Sequence, residues 1–392
     1  MSKSVYLAGA VRSAIGGFSG ALASVSAPAL GSLVSKAALG RAGVPVAEVD
    51  EVVFGNVVGA GLGQNVARQV SIGAGLSEAV NATTVNKVCG SGLKAVMLAA
   101  QAIRCGDSQI VLAGGTENMS RAPYLLDKAR NGYRLGHGEL IDSVIKDGLW
   151  DVYNNMHMGA CGDLCAQAYH FTRDQQDDFA VASFKRALAA TACGAFNKEI
   201  EPIEVKAGKE KILVREDETP KRFNEDKLRK LGPAFSPEGT VTAGNASSIN
   251  DGAAAIVVLS EKKINSLGAQ PQARILGSAT SAGQPRWFTI APIQAIRRLL
   301  ESVNLKAEHV DLFEINEAFA VVPMVAMKEL GLPHEKVNVN GGAVALGHPI
   351  GASGTRTLVT LIHALRQRRQ RTGICALCIG GGEAVAMAIE LC

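Results

Sequence analysis

The sequence predicts an α/β fold built from two related halves with an insertion between them, and three observations carry that expectation. Short β-branched apolar runs alternate with longer stretches of helical periodicity. Segments of the first part of the chain reappear at a separation of about 261 residues, too long a period for a solenoid. Between residues 121 and 241 the alternation breaks. The length agrees: 392 residues suffice for two to three domains at roughly 150 residues each.

In chain order, residues 5–11 read as an opening strand; the apolar run after Lys3 is too short for a secretory signal. Ser26 is a fitting N-cap with Pro28 in the first turn. Leu30, Leu33, Val34 and Ala37 share a face of that helix, and Gly43 stops it. A strand over 49–54 follows. Residues 85–88 read as a strand delivering Cys89-Gly90-Ser91-Gly92 to the start of a helix. That helix carries Leu93, Val96, Met97, Ala100 and Ile103 on one stripe and ends at Gly106. A buried strand over 109–113 comes next.

The internal repeat pairs residues 37–50 with 298–311 and Cys89-Gly90-Ser91-Gly92 with Gly351-Ala352-Ser353-Gly354. It also pairs Ala113-Gly114-Gly115-Thr116-Glu117 with Ile379-Gly380-Gly381-Gly382-Glu383. Residues 206–230 hold both charge signs and few apolar side chains, as a surface excursion would. Residues 239–259 then return to a glycine turn and a buried strand, which places the insertion inside the first half.

Composition narrows the function. With 40 Lys+Arg against 36 Asp+Glu, and 19% charged residues beside 47% hydrophobic, the chain carries no field suited to nucleic acid. The longest uncharged apolar stretches, 318–327 and 253–259, fall short of the roughly 20 residues that span a bilayer, so no membrane partner is expected. Eight cysteines without a secretion signal point to reduced thiols and a cytoplasmic location.

Four strand-to-loop junctions could carry chemistry. Cys89 sits where a helix dipole and unpaired N–H groups would favour thiolate and lower its pKa; a buried structural cysteine is the plainer reading. His348, in a glycine-rich loop ahead of a helix, is placed to serve as a base, although a lone loop histidine is often only solvated. The Cys375-x-x-Cys378 pair lies on a strand, where neither a redox motif nor a zinc set fits well. No metal site is expected, Cys375 should pack, and Cys378 should emerge at the glycine loop. Asn316 and Glu317 follow a strand and would either cap a helix or present an amide and a carboxylate at the same sheet edge. The run Gly59-Ala60-Gly61-Leu62-Gly63 has the wrong spacing for a dinucleotide fingerprint. Arg366, Arg368, Arg369 and Arg371 read as the basic end of a helix.

Taken together, Val85-Asn86-Lys87-Val88-Cys89-Gly90-Ser91-Gly92, Asn316-Glu317-Ala318-Phe319, Gly347-His348-Pro349-Ile350-Gly351-Ala352-Ser353-Gly354 and Cys378-Ile379-Gly380-Gly381-Gly382 resemble the thiolases, in particular their short-chain acetyl-CoA acetyltransferase branch. His157-Met158-Gly159 and residues 239–247 extend the resemblance over essentially the whole chain. It implies thiolase-like duplicated α/β half-domains in a layered α-β-α-β-α core: 1–120 plus 244–270, an inserted loop domain over 121–243, and 271–392.

The resemblance also implies roles. Cys89 would be the acyl-accepting nucleophile, His348 its base, and Cys378 the base for the α-proton of acetyl-CoA. His348 with an Asn316-held water would form one oxyanion hole, and the N–H groups of Cys89 and Gly380 the other. Ser247, Ala243, Leu149, His157 and Met158 would line the coenzyme A channel beside Ala318 and Phe319, with Lys221 or Arg222 on the nucleotide phosphates. Acyl-CoA and CoA would be substrates, with no separate cofactor. Residues 130–149 resemble a tetramerisation segment and imply a homotetramer. One departure stands out: residues 284–292 put Phe288 where short-chain relatives read Met-Gly-x-Gly-Pro, which implies a tight acyl pocket, and a broader 3-ketoacyl-CoA thiolase is the alternative. A decarboxylating 3-oxoacyl synthase would lack a base at Cys378, and an inactive carrier would have lost a reactive residue. Glu383, beside the glycine triplet, is expected to act on Cys378.

Overall fold

A computed structural model describes residues 4–208 and 210–392. Lys3, which precedes the opening strand, and Lys209, inside the charged excursion, lie outside the described residues. Among the described residues an 11-stranded mixed sheet organises the molecule. From edge to edge its main strands are Leu312–Ile315, Thr372–Ile379, Glu383–Leu391, Ala273–Ala282, Val5–Ser13, Asn250–Ser260, Ile110–Asn118, Glu51–Gly55 and Asn81–Val85. The seam between the two wings is a short antiparallel pairing of Tyr6 with Arg274 and Leu7 with Ala273. Outward from it, each wing has an antiparallel strand, a further antiparallel strand, and then a parallel one.

Helices complete the layers. Ala27–Ala42 covers the outer face of the first wing and Ala291–Ser302 that of the second. Ser91–Cys105 and Ile350–Arg368 pack against each other and against strands of both wings, forming the middle layer. Ile350–Arg368 is buried on every side from Ile350 to Leu365, as a central helix must be.

The repeated glycine motif has a packing reason. A Cβ on Gly92 would stand 2.7 Å from the Thr355 backbone nitrogen, and a Cβ on Gly354 would stand 2.2 Å from that of Leu93. The two motifs therefore let the first turns of the middle helices touch backbone to backbone, which brings the loops before them to one place. Gly354→Ala is expected to cost about 3 kcal/mol of unfolding free energy through overpacking against backbone, read from urea unfolding at fixed protein concentration.

Several local expectations are corrected. Ser26 does cap Ala27–Ala42 and Gly43 ends it in the left-handed region, but Leu33 is exposed and Ala37 only half-buried. The buried face runs instead through Leu30, Gly31, Val34, Ser35, Ala38 and Ala42. The strand assigned to 85–88 ends at Val85. Val88 takes φ of +43°, a left-handed backbone that costs a β-branched residue about 1–2 kcal/mol and breaks the strand just before Cys89. In the third repeat pair, Gly114 and Gly115 stay inside a strand that runs to Asn118, while Gly381 and Gly382 turn the chain at positive φ.

The segment inserted within the first wing is tied to it by a buried cation. Arg12, on the opening strand, donates to Glu199 Oε1 at 2.6 Å and to both Asp217 oxygens at 2.7 and 2.9 Å. Its side chain is fully buried. Burial alone would pull its pKa down, but Asp217 and Glu199 outweigh that and hold it above the ordinary arginine value.

Candidate active site

A cavity of about 270 Å³ opens where the loops from both wings meet. Of the residues singled out in the sequence, it gathers Cys89, His348 and Gly380 with Leu149, His157, Met158, Ala243, Ser247, Phe288, Ala318 and Phe319. Cys378 and Asn316 lie in the wall behind it, fully buried. Lys221 and Arg222 do not line it. Lys221 pairs with Glu216 at 2.9 Å and Arg222 with Glu218 at 3.9 Å, both as exposed cations on the Thr219–Arg222 turn.

Cys89 is held by a small network at the start of Ser91–Cys105. Ser91 Oγ accepts the Lys87 N–H at 2.9 Å and donates to the Val88 carbonyl at 2.6 Å, and Asn86 Oδ1 accepts the Val88 N–H at 3.0 Å. The thiol is not the low-pKa group that the helix start led the sequence reading to expect. Burial pushes it up to about 11, opposed by the backbone N–H groups of Gly380 and of Cys89 itself. Both N–H groups act on the Cys89 thiol and so stand close to where the oxyanion of an acyl group on that sulfur would form.

His348 is fixed at several points. Its backbone N–H donates to Asn250 Oδ1 at 2.9 Å. Its Nδ1 stands 2.5 Å from Ser353 Oγ, which already donates to the Pro349 carbonyl at 2.8 Å. The hydroxyl proton being committed, Nδ1 must carry the imidazole proton and Nε2 the free lone pair. Burial, then the Arg356 charge, lowers the ring to about 3, so it stands neutral and ready to accept a proton. Asn316 Nδ2 approaches Nε2 at 3.4 Å.

Cys378 departs from expectation: it does not emerge at the loop but is buried on the Thr372–Ile379 strand. Burial and the neighbouring Cys89 push its pKa well above the ordinary thiol value. Glu383 is not among the groups that act on Cys378; it forms an ion pair with Lys87. Cys375 packs as expected, with its sulfur 3.1 Å from Thr357 Oγ1. Glu317 presents no carboxylate to the cavity. It is buried and accepts from Ser183 Oγ at 2.7 Å, Asn338 Nδ2 at 2.8 Å and the Val344 N–H at 3.1 Å. Neither it nor Asn316 caps Val321–Leu330, whose N-cap is Ala320.

Some contributors went unnoticed in the sequence. Phe235 lines the cavity, stacks on His157 at 4.6 Å between ring centroids and meets Phe319 edge-on at 6.1 Å. Phe288 packs edge-on to Phe319 at 6.2 Å from the other side. Ser353 and Asn250 orient His348 without touching the cavity's centre as reactants. Glu117, noted only as part of the repeat, accepts the N–H groups of Val57, Val58 and Gly351, fixing the start of the helix that follows His348. The Ser-Gly shared by Cys89-Gly90-Ser91-Gly92 and Gly351-Ala352-Ser353-Gly354 was the one available signal for Ser353; nothing marked Phe235 or Asn250. Among the described residues no group of three or more His, Cys, Asp or Glu side chains is arranged to hold a metal ion, and no helix is long and apolar enough to cross a membrane.

Comparison with known proteins matches this arrangement. The family described as thiolase, N-terminal domain, covers residues 5–262, and thiolase, C-terminal domain, covers residues 269–391. Acetyl-CoA acetyltransferase 2 of Arabidopsis thaliana is 52% identical over 99% of this chain and 97% of its own length. The crystal structure of an acetyl-CoA acetyltransferase from Bacillus anthracis superposes with a TM-score of 0.98 at 43% identity, covering 100% of this chain and 99% of that one. The Acat5 thiolase of Ascaris suum in complex with coenzyme A gives a TM-score of 0.95 at 43% identity over 100% of each chain. With both domain matches spanning nearly its whole length, the chain belongs to the thiolase family.

Proposed function

We propose that this protein is an acetyl-CoA C-acetyltransferase. It joins two acetyl-CoA molecules into acetoacetyl-CoA and CoA, or runs the thiolysis in reverse, through an acyl-Cys89 intermediate. The observation that carries this reading is the convergence of a thiol, a neutral base with its lone pair forward, and two backbone donors on one apolar cavity. Similarity to the coenzyme A-bound Ascaris suum thiolase supports acyl-CoA thioesters as substrates.

The chemistry follows from the protonation states. Cys89 attacks the thioester carbonyl as His348 Nε2 takes its proton, so the thiolate exists only when an electrophile is present. The oxyanion meets the N–H groups of Cys89 and Gly380, worth on the order of 3 kcal/mol each in such holes. As the tetrahedral adduct collapses, CoA leaves and its sulfur takes the proton of Cys378. The Cys378 thiolate, made strongly basic by burial, then removes the α-proton of an incoming acetyl-CoA. The carbanion attacks the acyl carbonyl, and Cys89 departs and regains its proton from His348. His348, by then protonated on Nε2, and a water held by Asn316 donate to the enolate oxygen.

Lys221 and Arg222 are exposed cations suited to the nucleotide phosphates. We read residues 121–243 as the inserted loop domain. A homotetramer is supported by the exposed Leu126, Leu135 and Leu140, and light scattering showing a monomer at micromolar concentration would defeat it. Eight free thiols suit a reducing compartment such as the cytoplasm.

CoA-dependent loss of acetoacetyl-CoA tests the activity; inactivity on this and on longer 3-oxoacyl-CoAs would overturn it. Phe288, buried against Phe319, limits the acyl chain. Phe288→Met is expected to raise kcat/KM for six-carbon relative to four-carbon 3-oxoacyl-CoA by roughly tenfold; an unchanged ratio would favour the broader 3-ketoacyl-CoA thiolase reading.

A further inference from the structure

We infer that Arg356 is a positioning residue for this reaction: its buried guanidinium fixes the side-chain amide of Asn316 so that the N–H face, not the carbonyl, points at His348. The inference rests on the role proposed above for Asn316. Arg356 projects from the middle helix Ile350–Arg368 and is 1% exposed. Its Nη2 donates to Asn316 Oδ1 at 3.4 Å, while Asn316 Nδ2 faces His348 Nε2 at the same distance. A guanidinium has donors only. An Asn316 amide flipped by 180° would set its NH₂ against that guanidinium, donor against donor, and turn a carbonyl oxygen toward the catalytic base.

The surroundings leave Arg356 free to act this way. Its Nε and Nη1 have no partner, nor does Glu314 Oε1. Burial lifts Glu314 to about 8, with Arg356 opposing, and burial lowers Arg356, with Glu314 opposing. The positive field that reaches Asn316 also reaches His348 and helps keep it uncharged. A correctly turned Asn316 offers its N–H groups to the enolate hole, and a His348 kept neutral at rest is free to take the Cys89 proton on Nε2 and become the hole's second donor.

A mutant cycle on thiolysis of acetoacetyl-CoA tests this, with folding checked by thermal melting. Asn316→Ala is expected to lower kcat about 100-fold. Arg356→Met is expected to lower kcat about tenfold with KM within about twofold, and to have no further effect in the Asn316→Ala background. Arg356→Lys, which keeps the charge and a donor, should recover a large part of kcat; if Arg356→Met fails to fold, the cycle is run with Arg356→Gln, which loses the charge and whose amide can turn either way, with the same loss expected. The same fold-loss from Arg356 substitution in both backgrounds would overturn the inference, as would a change in KM alone. An Asn316→Ala enzyme with unchanged kcat would overturn the role of Asn316 itself.

Discussion

Cys378→Ala is expected to affect the two half-reactions unequally: the variant still takes an acetyl group from acetyl-CoA onto Cys89, more slowly for want of the proton that Cys378 gives the departing CoA, but carbon–carbon bond formation falls by about 10²–10⁴-fold, the usual worth of a positioned base. The reason lies in where each thiol stands. Cys89 lines the cavity beside His348 and the Gly380 N–H, and none of those groups changes in the variant. Cys378 sits behind it on a strand, its proton held tightly by burial. A thiol so placed is a poor nucleophile at rest but a strong base once CoA has carried its proton away. Radiolabel exchange between acetyl-CoA and CoA, compared with acetoacetyl-CoA formation, reads the two steps apart. Equal losses in both would show that Cys378 serves the first step as much as the second.

The largest stability effect is expected at Arg12. Removing one member of a buried, hydrogen-bonded charge network leaves the others unpaired away from water, at a cost of about 3–5 kcal/mol. Arg12→Met should lower the urea midpoint accordingly at fixed protein concentration. Adding Glu199→Gln and Asp217→Asn should recover a large part of the loss, because the stranded charges are gone. A single substitution that shifts the midpoint by under about 1 kcal/mol would mean that Asp217 and Glu199 find water when the arginine leaves.

Much of this architecture is legible in local pattern. Ser26 and Gly43 bound a helix as their residue types dictate, and the paired glycine motifs announce two equivalent helix starts. Three of the four junctions follow strands and converge where such loops collect, at one edge of an α/β sheet, whereas His348 reaches the same place from the short helix Ala343–Leu346. What pattern could not give is anything fixed across long separations. Arg12 reads as a charged interruption in an apolar strand, since its partners lie 187 and 205 residues away. The same holds for Phe235, an aromatic in a proline-rich loop until the fold sets it on His157.

The pKa of Cys89 was misjudged for a physical reason. The helix start supplies donors, as foreseen, but the closed cavity removes water, and desolvation outweighs the donors. Cys378 is expected to emerge because glycines follow it, whereas the strand runs on to Ile379 and stays buried to its end. Both corrections bear on when each thiol gives up its proton.

Peptide mass mapping after brief incubation with acetyl-CoA tests the central claim most directly. The account predicts one acetyl group on the peptide that carries Cys89, removed again by added CoA and absent from Cys89→Ala. Acetyl found on Cys378 instead, or a condensing enzyme that never acquires one, would contradict it.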